Sequence, residues 1–129
     1  MLVEVKTGKR VEVLDITDRV RDAVRKAGNK DGIAVVYTLH TTTAIAINEA
    51  EPGLMDDIVS TLSKLIPAGA GYKHDRVDDN ADAHIRAVIL GNSVVVPVEN
   101  GELMLGTWQR ILFIELDGPR TRRVLVKVV

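Results

Sequence analysis

The apolar spacing of this chain switches between a period of two and a period near 3.6, in an order that excludes a regular alternation of strands and helices. Leu2 to Lys6 alternates apolar and polar residues. Gly8-Lys9 reads as a turn and the alternation resumes from Val11 to Ile16, which predicts a hairpin. Thr17-Asp18 opens a helix with Val20, Ala23, Val24 and Ala27 at helical spacing, and Gly28-Asn29 closes it. The nearly continuous β-branched run Ile33 to Leu39 predicts a central strand buried on both faces, and Ala44 to Ile47 a short further strand. Pro52 sits where a helix first turn tolerates its missing N–H. The stripe Leu54, Met55, Ile58, Leu62 and Leu65 runs on to Pro67.

Ala68 to Asp79 carries two glycines and several charges and reads as a loop, of a length that is often functional. Asn80 is expected to cap a third helix containing Ile85, Val88 and Ile89, ended by Gly91-Asn92. Strands are predicted over Val94 to Val98, Ile111 to Leu116 and Val124 to Val129. Asn100-Gly101 is a hairpin signal, and Asp117-Gly-Pro-Arg120 a turn. The resulting order, β-β-α-β-β-α-α-β-β-β, predicts a single α+β domain dominated by antiparallel pairing.

With 129 residues the chain is long enough to bury a core without disulfides. Its aromatic residues are Tyr37, Tyr72, Trp108 and Phe113, so that core is built of Val, Ile, Leu and Ala. The net charge of −1, with no Lys/Arg stripe beside stacking aromatics, argues against nucleic acid. No apolar run approaches the ~20 residues of a membrane span. The N-terminus lacks the apolar run of a signal peptide, and a cytoplasmic protein is expected.

Cysteine is absent, so imidazole is the chain's strong nitrogen ligand and its side chain tuned to titrate near neutral pH. All three histidines sit in polar motifs. His40 follows the central strand and precedes Thr41, Thr42 and Thr43, whose hydroxyls suit an anion. His74-Asp75 lies in the long loop. His84 lies four residues after Asn80, so both share one face near a helix N-terminus that favours anions. Each alone has a structural reading as a strand-end, loop or first-turn histidine. Converging, His40, His74 and His84 would form an open metal site of zinc-like character, though their spacing is not a local zinc signature. Glu49 is a candidate general base or a partner of the second helix's dipole. Gly106-Thr107-Trp108-Gln109 holds the sole Trp and sole Gln at a turn, with Trp108 expected to pack over the end of the sandwich. Arg120 is placed to reach a phosphate.

Taken in order, His40-Thr-Thr-Thr-Ala with Ile47-Asn48-Glu49, His74-Asp75, Asn80-Ala-Asp-Ala-His84, Gly106-Thr-Trp-Gln109 and Asp117-Gly-Pro-Arg120 resemble the YjbQ family, also called secondary thiamine-phosphate synthases. The resemblance spans nearly the whole chain. It implies a compact α+β fold with antiparallel sheets and about three helices, and a homotrimer. It also implies a polar pocket in which a metal or a sulfate-like anion binds. Carried over, His40, Glu49 and His84 become candidate catalytic residues, and His40, His74 and His84 candidate metal ligands. Thr41, Thr42, Asn48, Asn80, Thr107, Gln109 and Arg120 become candidate substrate contacts. The implied reaction joins a pyrimidine-methyl diphosphate to a thiazole phosphate and expels diphosphate. Such chemistry uses Mg²⁺ with carboxylates and cationic side chains, whereas imidazoles suit zinc. The alternatives from different classes are a metal-dependent hydrolase and a non-catalytic module that binds a small phosphorylated metabolite.

Overall fold

Eight strands and three helices follow one another in the computed structural model, which describes every residue from Met1 to Val129. They are β1 (Leu2–Lys6), β2 (Glu12–Asp15), α1 (Thr17–Ala27), β3 (Gly32–Thr38), β4 (Thr43–Asn48), α2 (Pro52–Leu65), α3 (Ala81–Leu90), β5 (Ser93–Glu99), β6 (Glu102–Leu103), β7 (Arg110–Glu115) and β8 (Thr121–Val128). A single 3₁₀ turn, Lys73–Arg76, lies in the loop between α2 and α3. The strands form two antiparallel sheets, ordered β1-β8-β3-β5-β6 and β2-β7-β4. The α+β expectation holds. No helix is long and apolar enough to cross a membrane.

The hairpin expected between β1 and β2 does not form. β1 pairs with the C-terminal β8, Val5 opposite Arg122, while β2 crosses to the other sheet and pairs with β7, Val13 opposite Ile114. A turn at Gly8-Lys9 is compatible with both outcomes, and burial against the remote partners decides between them. Asn100-Gly101 does make the expected tight hairpin, joining β5 to β6, with both residues at positive φ of 51° and 77°.

One apolar core lies between the sheets. Val5, Val36, Val96, Val124 and Val126 face Ile45, Ile111 and Phe113, and α1 adds Val20, Ala23 and Val24. A second, smaller cluster lies on the other face of the three-stranded sheet, where Ala44, Ile114 and Leu116 meet Leu62 of α2 and Ala83 and Ala87 of α3. The strand buried on both faces is therefore β7, not β3. Helices cover the outer face of β7's sheet, whereas nothing covers that of β3, where Ile33 and Tyr37 are exposed. The expected helix stripes shift for the same reason. α3 turns Ala83, Ala87 and the charged Asp82 and Arg86 inward, leaving Val88 and Ile89 in solvent, and α2 leaves Leu65 exposed.

Candidate functional site

β3 ends at Thr38 in one sheet and β4 begins at Thr43 in the other, so the four residues between them bridge the sandwich at one end. A buried hydrogen bond of 2.7 Å between the Thr38 and Thr43 hydroxyls clamps the neck of this crossing. His40 sits at its tip. Its Nε2 accepts the backbone N–H of Arg123 at 2.8 Å, which fixes the ring against β8. A neutral imidazole bonded this way carries its proton on Nδ1. Burial, then the charges of Arg122 and Arg123, push the His40 imidazole below its usual value, against a smaller opposing pull from Glu115.

The turn from β7 to β8 forms the facing wall. Glu115 is fully buried, and its carboxylate accepts from Thr7 Oγ1, from Nε and Nη2 of Arg122, and from the backbone N–H groups of Leu116 and Asp117. Burial alone would raise this carboxyl. The Arg122, Thr7 and backbone hydrogen bonds outweigh it and hold Glu115 below the usual carboxylate range. Arg122 Nη2 also donates to Thr42 Oγ1 at 2.9 Å, tying the two walls together.

The third wall comes from the loop before α3. Asn80 stands at the cap position, but its side chain does not cap the helix: Asp75 Oδ1 accepts the Ala81 N–H at 2.9 Å instead. Asn80 donates through Nδ2 to Asp117 at 2.9 Å, while its Oδ1 lies 3.1 Å from Nε2 of His74. His74 and His84 meet edge to face with ring centroids 4.8 Å apart. Arg10 forks onto the buried Asp82 with two contacts of 3.1 Å and approaches Asp117 at 4.0 Å, fastening the first turn of α3 to the same turn.

Two adjoining clefts open between these walls. One, of about 580 Å³, is polar and is lined by Thr41, Thr42, Asn80, Arg120 and Arg122 together with the carboxylates of Asp78 and Asp117. The other, of about 650 Å³, is lined by Tyr37, Leu39, Ala87 and Val88 together with Thr38, Thr43 and Asn92. His40 and His84 line both and stand at the junction.

Of the residues singled out from sequence, His40, Thr41, Thr42, Asn80, His84 and Arg120 line this site, and His74 stands behind it through Asn80 and His84. Asn48, Glu49, Thr107 and Gln109 do not. They lie at the opposite ends of β4 and β7, roughly 17 Å away along the strands at ~3.3 Å per residue. Asn48 accepts the Glu49 N–H, and Gln109 accepts the Gly106 N–H. The carboxylate at the start of α2 belongs to Glu51, which accepts the Leu54 N–H, and not to Glu49. Trp108 does not pack over the sandwich; it is 71% exposed.

The three imidazoles do not assemble into a ligand set within the chain. No three His, Asp or Glu side chains stand together as a metal-holding group, and the Nε2 lone pair of His40 is already taken by Arg123. The residues of one chain therefore do not fit a three-histidine centre. Sequence reasoning missed Arg122, Glu115, Arg10 and Asp82. Arg122 was legible, because it shares the inward period of Val124 and Val126; so was Glu115, a lone charge in the apolar run Ile111–Leu116.

The family model described as UPF0047 protein YjbQ-like matches residues 1–129. A UPF0047 protein of Archaeoglobus fulgidus is 62% identical over the full length of both chains. YugU of Bacillus subtilis is 39% identical over 98% of this chain and 96% of its own. Among solved structures, the hypothetical protein APE1520 of Aeropyrum pernix K1 superposes with a TM-score of 0.97 at 49% identity, covering 100% of this chain and 96% of its own. With the whole chain matched and both sheets and the cleft in place, this protein belongs to the YjbQ/UPF0047 family.

Proposed function

We propose that the paired clefts bind a small phosphorylated metabolite, and that the chain acts on it as a transferase of the thiamine-phosphate synthase kind. The observation that carries this reading is the junction itself. A cleft walled by Arg120, Arg122 and two threonines abuts one lined by Tyr37, Leu39 and Val88, with two imidazoles between them. A phosphate ester of a planar organic alcohol has those two halves.

In the proposed reaction a C–O bond to diphosphate breaks, the diphosphate leaves with the electron pair, and a thiazole nitrogen forms the new C–N bond. Charge grows on the leaving oxygens, where fixed cationic donors stabilise it. His84, at the junction, is placed to deliver a proton to the departing group. Chemistry of this class uses a divalent metal on the diphosphate. A metal-dependent hydrolase would need the three-histidine set that one chain does not assemble.

A homotrimer belongs to the same reading and is supported by the uncovered apolar residues Ile33, Tyr37 and Val95 on the outer face of β3 and β5. Glu49, Asn48, Thr107 and Gln109 would then act at a cleft where a neighbouring subunit carries them to it. Light scattering in solution tests the assembly: a mass three times 14.1 kDa is expected, and a monomer removes this part of the proposal.

The decisive assay supplies both precursors and Mg²⁺ to the purified protein and measures thiamine phosphate. Formation abolished by His84→Ala is expected. Binding of a phosphate ester without product would leave the non-catalytic binding module instead.

A further inference from the structure

Three side chains on the polar cleft hold hydrogen-bond donors with defined polarity and no acceptor in the protein. The side chain of Arg122 is 4% exposed. Its Nε and Nη2 are taken by Glu115, by Thr42 and, at 3.5 Å, by the Asp117 carbonyl. Nη1 is engaged by none of them. It is also not sealed away, unlike Nη1 of Arg86, which is buried without a partner. Nη1 of Arg122 therefore meets the cleft that the residue lines, with two N–H groups to give.

Thr42 comes next. Its oxygen accepts from Arg122, so its hydroxyl hydrogen points elsewhere, and the residue is buried in the same wall. His40 is the third. Its Nε2 accepts from Arg123, which leaves the Nδ1–H as its donor. Spare donors from a guanidinium, a hydroxyl and an imidazole suit an oxyanion that accepts several hydrogen bonds at once, as the terminal oxygens of a phosphate monoester do.

Arg120 is built differently. It is largely exposed, and it turns Nε and Nη2 back onto the Asp117 carbonyl and carboxylate. Arg122 is held on one edge by a carboxylate whose oxygens accept five hydrogen bonds, so its free edge has a fixed direction.

We propose that Arg122, Thr42 and His40 form a donor-only cradle that anchors the phosphate group of the ligand, with Arg122 as its principal anchor in place of Arg120. This rests on the reading of the clefts as a phosphorylated-metabolite site and names the atoms that would hold it. The adjoining apolar cleft then receives the organic part, which makes an aryl phosphate a better ligand than inorganic phosphate.

The test is calorimetric titration of the full chain, in phosphate-free buffer, with inorganic phosphate, phenyl phosphate and benzoate. Phenyl phosphate is expected to bind tightest and benzoate weakest. Arg122→Lys keeps a cation opposite Glu115 but removes the free edge, and is expected to weaken phenyl phosphate about tenfold or more. Thr42→Val is expected to weaken it less, with Thr42→Ser restoring it, and Arg120→Ala to weaken it less than Arg122→Lys does. If Arg122→Lys does not fold, the near-isosteric Thr42→Val and its serine rescue decide. Full affinity in Arg122→Lys with loss in Arg120→Ala would overturn the cradle while leaving the metabolite site standing. A wild-type chain that binds neither phosphate probe overturns both.

Discussion

The backbone N–H of Arg123 on β8 donates to Nε2 of His40 across 2.8 Å, joining the crossing between the sheets to the strand that carries Arg122. His40 is thereby an acceptor toward the fold and a donor toward the cleft. His40→Gln retains an acceptor and is expected to keep near-native stability. His40→Ala leaves the Arg123 N–H without its partner and is expected to cost about 1 kcal/mol in urea denaturation. Burial and the neighbouring Arg122 and Arg123 lower the imidazole, so its midpoint in an NMR titration is expected below 6.5. The sign follows from a neutral form favoured in the fold. The stability it contributes is present above the unfolded value and is lost as pH falls through the lowered one. A midpoint above 6.5 would show that His40 faces an anion or carboxylate rather than these cations.

Glu115 and Arg122 form an enclosed ion pair, with side chains 0% and 4% exposed. Removing one member strands the other in the core, so Glu115→Gln is expected to lose about 3–5 kcal/mol at neutral pH. Burial raises the Glu115 carboxyl, but its hydrogen bonds from Arg122, Thr7 and the Asp117 N–H lower it further, and the net direction is down. A lowered carboxyl contributes stability above its unfolded value of 4.5, and that stability is lost as pH falls through the folded one. Wild type is therefore expected to lose stability below about pH 4.5, more steeply than Glu115→Gln, in denaturation series run at successive pH values. Parallel slopes for the two proteins would remove Glu115 from the acid transition.

The elements were largely legible in the periodicities, because an alternating strand or a 3.6-residue stripe is a local property. Pairing was not. β1 and β2 separate into different sheets because each is buried best against a partner from the far end of the chain. The site was half legible for a related reason. The motif from His40 to Glu49 looks continuous, yet its middle is the extended β4, so its two ends emerge at opposite ends of the sandwich. A polar cluster at each end of a strand gives no indication of which remote residues share that end. The buried charges are a different case, since their signal is a local one. Arg122 and Glu115 stand at inward-facing strand positions, where a charge survives only with a partner, and each therefore announces the other.

Asp75 supplies the cap that Asn80 does not. Its carboxylate takes the first free N–H of α3, which leaves Asn80 free to link His74 with Asp117. Asp75→Ala is expected to cost about 1 kcal/mol, the usual worth of a helix cap. It is also expected to increase hydrogen exchange across residues 74–84, since the cap holds the loop to the helix. Asn80→Ala, by contrast, is expected to spare the helix and loosen the Asp117 turn. Equal exchange effects of the two substitutions along α3 would contradict this division of roles.

Gly118 follows Asp117 where the β7–β8 turn passes against the N-terminal loop. A Cβ there would stand 2.5 Å from the Lys9 carbonyl oxygen and 2.8 Å from both Glu115 Cγ and Thr7 Oγ1. The Lys9 oxygen belongs to backbone whose neighbour Arg10 accepts the Gly118 N–H at 2.9 Å, so it cannot retreat without breaking that bond. The Thr7 hydroxyl is equally committed, donating to Glu115 at 2.7 Å. Gly118→Ala is therefore expected to destabilise the fold by about 1–3 kcal/mol through overpacking. The strain falls on Glu115, which orients Arg122, so affinity for phenyl phosphate is expected to drop together with stability. Gly69 is the control: it has φ of 67°, and a Cβ added there would meet nothing within 4 Å, so Gly69→Ala incurs the backbone cost alone. Its expected result is a smaller loss of stability at unchanged affinity, measured by calorimetry and urea denaturation on the same samples. Equal affinity in Gly118→Ala and wild type would show that Arg122 holds its direction without Glu115 in place.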